Sequence, residues 1–243
     1  MAEPKSIGDA SGRTWAIGDI HGCLDALRAV IDFADIRPND VIVTLGDYVD
    51  RGPDTKGVID ELITLGSTHT LVSLKGNHEI MMLRACEDSV ERSRWLDHGG
   101  MATLMSYGVR GDGGAGGVLD DVPNRHWDFL EGLVDYHENE THFFVHANAY
   151  PDVPLDRQPE YMLFWERFDN QLRHQSQKTM VCGHASQKSG VPLRGDAGIC
   201  IDTNVARGGW LTCLCCETGE IVQADARGEV RTLFPDEVRT FGD

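Results

Sequence analysis

The feature that most constrains the fold of this chain is a pattern repeated three times in its first third. Each time, a short apolar run of strand length leads into a polar block, and apolar residues at helical spacing follow. The apolar runs cover residues 14–17, 41–45 and 70–74, and the polar blocks are 18–22, 46–52 and 76–79. Three successive strand–loop–helix units predict a parallel sheet with crossover helices. Because ligands collect beyond the carboxyl ends of such strands, the polar blocks mark a predicted site.

The remainder of the chain is predicted to contain further helices and then a second set of strands. Residues 79–107 have helical periodicity interrupted at Gly99 and Gly100, and a glycine-rich flexible loop follows at 108–117. Further predicted elements are a helix over 124–133, two strands over 134–145, an amphipathic helix over 160–176 and short strands after Thr179. These last strands predict a second sheet packed on the first.

Length and composition predict one globular domain. Hydrophobic residues make up 41% of the chain and charged residues 25%, which is ordinary for folded proteins and excludes the disordered and fibrous classes. Chains of 243 residues with α/β patterning commonly form one unit. A single domain is expected over 13–243 after a flexible tail over 1–12. The predicted fold class is α/β, or α+β in some classification schemes.

The charge balance limits the partners. The chain has 22 Lys and Arg against 39 Asp and Glu, a formal net charge of −17. Such a surface repels phosphodiester backbones, so stable nucleic-acid binding is not expected. No apolar run is long enough for a membrane, and the N-terminus lacks the apolar core of a secretory signal, so a cytoplasmic location is expected. Cys213, Cys215 and Cys216 are interpreted as buried reduced thiols, with a zinc site as the alternative.

The polar blocks contain the groups that hydrolysis of a phosphate ester requires. Two cations about 3.5–4 Å apart can neutralise the phosphate and activate a bridging water, and carboxylate and imidazole ligands suit manganese, iron or zinc. A general acid assists the leaving oxygen, and arginine holds the non-bridging oxygens. The blocks GDIHG, GDYVDRG and GNHE offer these groups in order, and His146 and His184 each follow a later apolar run. The sequence therefore predicts a two-metal site.

These blocks resemble the signature of the phosphoprotein phosphatase family within the metallophosphoesterases, and most of all its small bacterial and phage-lambda-type members. The resemblance runs from about residue 14 to about residue 217 and includes the later segments VHANAYP, LFWERF, VCGHA and GICIDTN. It implies a four-layer calcineurin-like sandwich of two mixed β-sheets flanked by helices. It also implies direct attack on phosphorus by a hydroxide that bridges two divalent metal ions, with manganese expected first and iron or zinc as alternatives.

The resemblance carries a metal-binding role onto six motif residues. The implied ligands are Asp19 and His21 for the first metal, Asp47 bridging both metals, and Asn77, His146 and His184 for the second metal. Asn77 is also expected to contact the substrate.

The resemblance likewise implies the catalytic and phosphate-binding residues. His78 would be the general acid, oriented and charged by Asp50. Arg51 would hold the phosphoryl oxygens, and Arg167 resembles the second phosphate-binding arginine of the family. Arg207 is a rival for that second position, and a surface ion pair is the alternative interpretation of Arg167.

Other polar and aromatic residues are interpreted more simply. Tyr48 is either a substrate contact or an aromatic residue at the rim of the site. The histidines outside the motifs are expected to lie at the surface or to have hydrogen-bond partners: His69, His98, His126, His137, His142 and His174. Among these, His98 lies closest to the predicted site in chain order.

The function implied is that of a metal-dependent serine/threonine protein phosphatase, whose partner would be a phosphorylated protein or a small phosphate ester. Asp50 and the GNHE block favour this branch, because symmetrical dinucleoside tetraphosphatases of the superfamily typically carry alanine in place of Asp50. The alternatives are a phosphatase acting on dinucleoside polyphosphates, RNA ends or phosphotyrosine with the same site. A non-catalytic phosphate-binding module is the alternative from a different class.

Overall fold

The computed structural model of the protein describes residues 12–109, 119–169 and 172–242. The α-helices in these ranges are α1 (Leu24–Phe33), α2 (Thr55–Thr68), α3 (Asn77–Glu87), α4 (Ser89–Trp95), α5 (Met101–Ser106), α6 (Asn124–Glu131) and α7 (Glu160–Phe164). A π-helical turn, Leu96–Gly100, joins α4 to α5. The predicted interruption at Gly99 and Gly100 is therefore confirmed as a kink between two helices.

The strands form two sheets. The first half of the chain contributes β1 (Thr14–Ile17), β2 (Val41–Thr44), β3 (Thr70–Ser73), β4 (Tyr136–Glu138) and β5 (His142–Val145). The second half contributes β6 (Thr179–Cys182), β7 (Leu193–Arg194), β8 (Gly198–Cys200), β9 (Asp202–Thr203), β10 (Trp210–Cys215), β11 (Ile221–Ala224), β12 (Val230–Leu233) and β13 (Arg239–Thr240).

The first sheet has the order β12–β11–β10–β1–β2–β3, and β9 pairs with β10. Strands β1, β2 and β3 are parallel, with Trp15 opposite Ile42 and Ile42 opposite Leu71. Helices α1 and α2 connect these strands, which confirms the predicted parallel units. Strand β10 runs antiparallel to β1 and places Cys215 opposite Trp15.

The second sheet has the order β13–β7–β8–β6–β5–β4. Strands β5, β6 and β8 are parallel, with Phe143 opposite Met180 and Val181 opposite Ile199. Strand β4 is antiparallel to β5, and β7 is antiparallel to β8 but parallel to β13. Parallel and antiparallel pairs therefore occur in both sheets, as the mixed-sheet expectation required.

Alternating side chains divide the core into layers. Trp15 packs with the helices on the outer face of the first sheet, whereas its neighbour Ala16 faces the second sheet. Phe144 meets Ala16 between the sheets, and Phe143 on the opposite face packs against Phe164 of α7. The order helices–sheet–sheet–helix confirms the expected four-layer sandwich, and it directs the carboxyl ends of β1, β2, β3, β5 and β6 toward one region.

Two predictions of secondary structure were wrong. The helix expected over 160–176 ends at Phe164, because the carbonyls of Trp165 and Arg167 accept hydrogen bonds from His184 and Asn148 instead of from helical N–H groups. The strands after Thr179 do not form one second sheet, since β10, β11 and β12 extend the first sheet. Strand β10 is buried on both faces beside β1, a position that its almost uninterrupted apolar sequence fits.

Three further expectations can be compared only in part with the residues that the structure describes. The predicted tail lies outside the described residues except for Gly12, and most of the predicted glycine-rich loop lies outside them as well. Of the described helices, none is both long enough and apolar enough to cross a membrane.

Candidate metal and phosphate site

Residues from five strand ends meet at one place between the sheets. Asp19 and His21 follow β1, Asp47 follows β2, and Asn77 and His78 begin α3 after β3. His146 follows β5 and His184 follows β6. Two groups of side chains there have their ligand atoms within 4.8 Å of one another: His21 with Asp47 and His78, and Asp47 with His146 and His184. Asp47 belongs to both groups, as a bridging ligand would.

The site loops adopt backbone conformations that side chains seldom take. Residues with left-handed φ values are His21 (46°), Asp47 (53°), Asp50 (72°), Arg51 (68°) and His184 (61°). Such conformations persist only where the surroundings hold them. Here the buried carboxylate of Glu79 accepts the N–H groups of Asp47, Tyr48, Val49 and Gly76 at 2.8–3.2 Å. Glu79 therefore fixes the loop after β2 to the loop after β3.

Backbone carbonyls fix the orientation of three imidazoles. His21 Nδ1 donates to the Val49 carbonyl and His146 Nδ1 donates to the Leu45 carbonyl, both at 2.8 Å. His184 donates through Nε2 to the Trp165 carbonyl at 3.2 Å. Each ring thus directs its other nitrogen toward the carboxylates and amide of the site. Metal-binding histidines are typically held by an outer acceptor in this way.

The nitrogens of His146 and His184 that face the site lie close to an amide oxygen, which cannot donate a hydrogen bond to them. Asn77 Oδ1 lies 3.0 Å from His146 Nε2 and 3.1 Å from His184 Nδ1. Burial lowers the pKa of His184 to about 4, assisted by His146, so the ring is neutral near pH 7. A neutral nitrogen with its proton elsewhere presents a lone pair, and an amide oxygen presents another. A cation between these atoms would satisfy both sets of lone pairs, so this donor set fits a metal ion.

Acidic side chains are concentrated in the same buried region. Both carboxylate oxygens of Asp19 accept the backbone N–H of His184, at 3.1 and 3.2 Å. Burial raises the pKa of Asp19 well above its usual range, and the neighbouring Asp202 and Asp47 raise it further. Buried like charges are unfavourable without a compensating positive charge. Divalent cations bound near Asp19 and Asp47 would supply that charge. Asp19 belongs to neither of the two groups of ligand atoms, however, and the first group contains His78 where the sequence predicted Asp19.

His78 and Asp50 form a buried pair beside these groups. His78 Nδ1 lies 2.6 Å from Asp50 Oδ2, and both side chains are buried. Burial alone would lower the pKa of His78, but Asp47 and Asp50 outweigh burial and raise it. A carboxylate that raises the pKa of an imidazole favours its charged form, and a proton taken up on Nε2, the nitrogen that faces the site, could be passed to a leaving oxygen.

Arg51 lies between two imidazoles of the site. Its Nη1 contacts His21 Nε2, and its Nη2 lies 2.8 Å from His78 Nε2. Within the described part of the chain, Arg51 Nε is buried and has no hydrogen-bond partner. A half-buried guanidinium with an unused donor can bind an anionic oxygen, so the position fits the predicted phosphate contact.

The remaining sequence predictions had mixed outcomes. Arg167 and Arg207 both have exposed side chains, and no described contact selects one of them as the second phosphate ligand. Both interpretations of Tyr48 were wrong, because this residue is fully buried and its hydroxyl donates to the Leu74 carbonyl at 2.6 Å. Among the described residues, neither group that could hold a metal contains a cysteine, and Cys213 and Cys215 are buried and free.

Three of the histidines outside the motifs lie at the surface or have hydrogen-bond partners, as expected. His98 is exposed and donates through Nδ1 to the Arg94 carbonyl. His126 is buried between Asp60 and Tyr107, which it contacts at 2.8 and 2.7 Å. His174 is also buried and contacts Ser176 and the Val153 carbonyl.

Several residues that support the site were not predicted from the sequence. Glu79 was noted only as part of a motif, and Trp95, Thr103 and Asp202 were not assigned any role. Asp202 is buried, accepts the hydroxyl of Ser186 at 2.5 Å and lies near Asp19. An acidic residue directly after an apolar run was the only available signal for it.

The fold and the site together define a metal-dependent phosphoesterase architecture, and comparison with known families agrees. The family described as "Calcineurin-like phosphoesterase" matches residues 12–208. The chain belongs to this family.

Two curated relatives differ in the activity their names state. The protein named "Serine/threonine-protein phosphatase 1" of Salmonella typhimurium is 37% identical over 87 residues, which is 35% of this chain and 38% of that protein. The protein named "Bis(5'-nucleosyl)-tetraphosphatase, symmetrical" of Acidovorax sp. is 41% identical over 115 residues, or 39% of this chain and 40% of that protein. The matched part thus spans about two-fifths of the length of these relatives.

Solved structures are similar in fold. A cold-active protein-tyrosine phosphatase of a Shewanella species aligns with a TM-score of 0.62 at 15% identity, covering 96% of this chain and 89% of that one. A protein serine/threonine phosphatase of Saccharomyces cerevisiae aligns with a TM-score of 0.55 at 15% identity, covering 95% and 83%. At these identities the alignments establish the shared fold alone.

Proposed function

We propose that this protein is a two-metal phosphomonoesterase whose principal substrates are phosphoserine and phosphothreonine side chains of proteins. The observation that carries the proposal is the buried contact of 2.6 Å between His78 Nδ1 and Asp50 Oδ2. Such a pair can protonate a leaving oxygen, and the proposed substrate class follows from that ability.

The two leading substrate classes differ in how much protonation their leaving groups need. Cleavage of a serine or threonine phosphate releases an alkoxide, which is a poor leaving group unless an acid protonates it. Cleavage of a phosphoanhydride in a dinucleoside polyphosphate releases a nucleoside phosphate anion, which leaves without that assistance. Burial of the Asp50 carboxylate costs free energy. A role for the charged His78 imidazole as a proton donor would account for that cost. The pair therefore favours alkyl phosphate esters.

Each residue of the site then has a role in the proposed reaction. His78 would protonate the leaving oxygen from Nε2, and Asp50 would stabilise the charged imidazole. Arg51 would bind the non-bridging phosphoryl oxygens, with its buried Nε available as one donor. Arg167 is retained as the second phosphate-binding arginine in this proposal, and Asn77 as a further substrate contact.

Six residues would hold the two divalent cations, with Asp47 shared between them. The proposed ligands are Asp19, His21 and Asp47 for the first cation and Asp47, Asn77, His146 and His184 for the second. When bound, the cations would neutralise phosphate charge and make water nucleophilic near neutral pH. Manganese is the first candidate, with iron or zinc as alternatives, because the ligands are hard oxygens together with imidazoles.

A second candidate substrate is a dinucleoside polyphosphate. It is supported by the tetraphosphatase relative, which is 41% identical over its matched segment. In this case the same cations and Arg51 would bind the bridging phosphates, and the proton from His78 would be of little use.

A substrate panel tests the proposal. The protein with Mn²⁺ added would be assayed on a phosphoserine peptide, a dinucleoside tetraphosphate and nitrophenyl phosphate, as wild type and as His78→Asn. The phosphoserine peptide is expected to lose roughly 10²–10⁴-fold in kcat in the variant, and nitrophenyl phosphate far less, because nitrophenolate leaves easily. Equal losses on all substrates, or a wild-type preference for the dinucleotide, would contradict the proposal.

A further inference from the structure

Asp50 is surrounded by donors that come from outside its own loop. Trp95 Nε1 lies 2.9 Å from each carboxylate oxygen, and the Thr103 hydroxyl donates to Oδ1 at 2.8 Å. The backbone N–H of Asp50 donates to the same Thr103 hydroxyl at 2.8 Å. All three residues are fully buried. The orientation of Asp50, and hence of the His78 ring it contacts, depends on these two partners.

A kink in the helical region brings the two partners together. Trp95 and Thr103 are eight residues apart, which in a straight helix corresponds to about 12 Å along the axis. The π-helical turn, Leu96–Gly100, lies between them and redirects the chain at Gly99, whose φ is 115°. As a result α4 supplies one donor and α5 supplies the other to a single carboxylate.

The same kink contacts Arg51. The Gly99 carbonyl accepts the backbone N–H of Arg51 at 3.2 Å. A Cβ atom added to Gly99 would lie 2.9 Å from Arg51 Cγ. One segment, residues 95–103, therefore packs against both the general-acid pair and the phosphate-binding arginine. π-Bulges are frequent at functional sites, and this one has a definite structural consequence.

We infer that residues 95–103 form a positioning segment in which Trp95 and Thr103 act through Asp50 to align His78 for proton donation. Neither residue touches the reacting atoms, so both are positioning residues. The inference rests on the proposed function, because alignment of the acid matters only if a leaving oxygen must be protonated. It adds two residues on which the rate with poor leaving groups depends.

Replacement of Trp95 by phenylalanine removes the N–H donor and keeps an aromatic ring. The Trp95→Phe variant is expected to lose about 10–100-fold in kcat on an alkyl phosphate such as the phosphoserine peptide, which is part of the roughly 10²–10⁴-fold that a general acid contributes. KM should change little, since the phosphate contacts remain. On nitrophenyl phosphate, kcat should stay within about twofold, because that leaving group needs no proton. Trp127→Phe, at a half-buried tryptophan of α6, is the matched control and should leave both substrates unaffected.

A double mutant distinguishes an effect of Trp95 on the position of His78 from a general disruption of the site. If Trp95 acts through His78, then adding Trp95→Phe to the His78→Asn variant should cause less than about a twofold further loss on the alkyl phosphate. The same loss in both backgrounds would overturn the inference, as would no loss in the wild-type background. Should Trp95→Phe not fold, the comparison is repeated with Thr103→Val, and Thr103→Ser should restore the rate because it keeps the hydroxyl.

The outcomes distinguish this inference from the proposed function. If His78→Asn slows both substrates equally, the role of His78 as an acid is wrong and the proposed function fails. If His78→Asn behaves as expected but the Trp95→Phe loss persists without His78, only the positioning inference fails.

Discussion

A methyl group on Gly183 would lie 2.0 Å from Oδ1 of Asp19, a distance that no pair of non-bonded atoms tolerates. Gly183 is the residue between β6 and His184, and its N–H donates to the His146 carbonyl at 2.8 Å. The absence of a side chain there lets the end of β6 approach the end of β1. This close approach places His184 and Asp19, from different sheets, in the same site.

The Gly183→Ala variant is therefore expected to displace Asp19 and weaken metal binding. We expect affinity for Mn²⁺ to fall by about 10–100-fold, since the ligands move although none is removed. Isothermal titration of the metal-free protein measures this directly. Gly66→Ala in α2 is the control, because its added Cβ would have its nearest neighbour at 3.6 Å. Unchanged affinity in Gly183→Ala would contradict the close approach.

Glu79 is expected to contribute strongly to stability as well as to the site. In Glu79→Ala the N–H groups of Asp47, Tyr48, Val49 and Gly76 lose their acceptor. An unsatisfied buried donor costs about 1–3 kcal/mol, so we expect the free energy of unfolding to fall by at least about 3 kcal/mol. Urea unfolding of the metal-free protein measures the change without any contribution from bound cations.

The control for Glu79→Ala is Glu61→Ala. Glu61 forms a surface ion pair with Arg28 at 2.7 Å, and removal of such a pair should change stability by less than about 1 kcal/mol. A loss for Glu79→Ala as small as that of Glu61→Ala would show that the loops after β2 and β3 do not depend on this carboxylate.

Asp40 is expected to make the stability of the fold depend on pH in the acidic range. Burial alone would raise its pKa, but hydrogen bonds from Arg13, from the Arg37 N–H and from Trp15 outweigh burial and lower it to about 2. A carboxyl whose pKa is lower in the folded state stabilises the protein above its unfolded pKa, near 3.8. That stabilisation, about 2 kcal/mol here, is lost as the pH falls toward 2.

The stability difference between wild type and Asp40→Asn should therefore depend on pH. We expect it to be largest above pH ~4 and to narrow by about 1 kcal/mol between pH ~5 and pH ~3. Urea unfolding at both values gives the difference. If the stability difference were the same at both pH values, Asp40 would stabilise the fold only through its shape and hydrogen bonds, and the lowered pKa would be wrong.

The site could largely be predicted from the sequence because its residues come from strand ends. Asp19, Asp47 and Asn77 each follow an apolar run within a few residues, and parallel strands place such positions at one edge of a sheet. His146 and His184 follow the same rule in the second sheet. Local patterns were sufficient here because each motif lies within a single strand–loop unit.

Features that depend on distant pairings could not be predicted in this way. Strand β10 looked like part of a second sheet, but it pairs with β1, about 200 residues earlier, and nothing local specifies that partner. Trp95 and Thr103 reach Asp50 only because the chain kinks at Gly99, and the sequence indicated the break without its direction. Tyr48 stands within a motif of polar residues, yet its hydroxyl finds a backbone acceptor inside the core.

The central claim is that the side chains from five strand ends hold two cations, one on each side of Asp47. The most direct measurement is the number of Mn²⁺ ions bound per chain, by titration with metal analysis, for wild type, His21→Asn and His184→Asn. We expect two ions in the wild type and one in each variant, because His21 and His184 belong to different groups of ligand atoms that share only Asp47. If the wild type bound no Mn²⁺, or if both variants still bound two ions, the account of the site would be wrong.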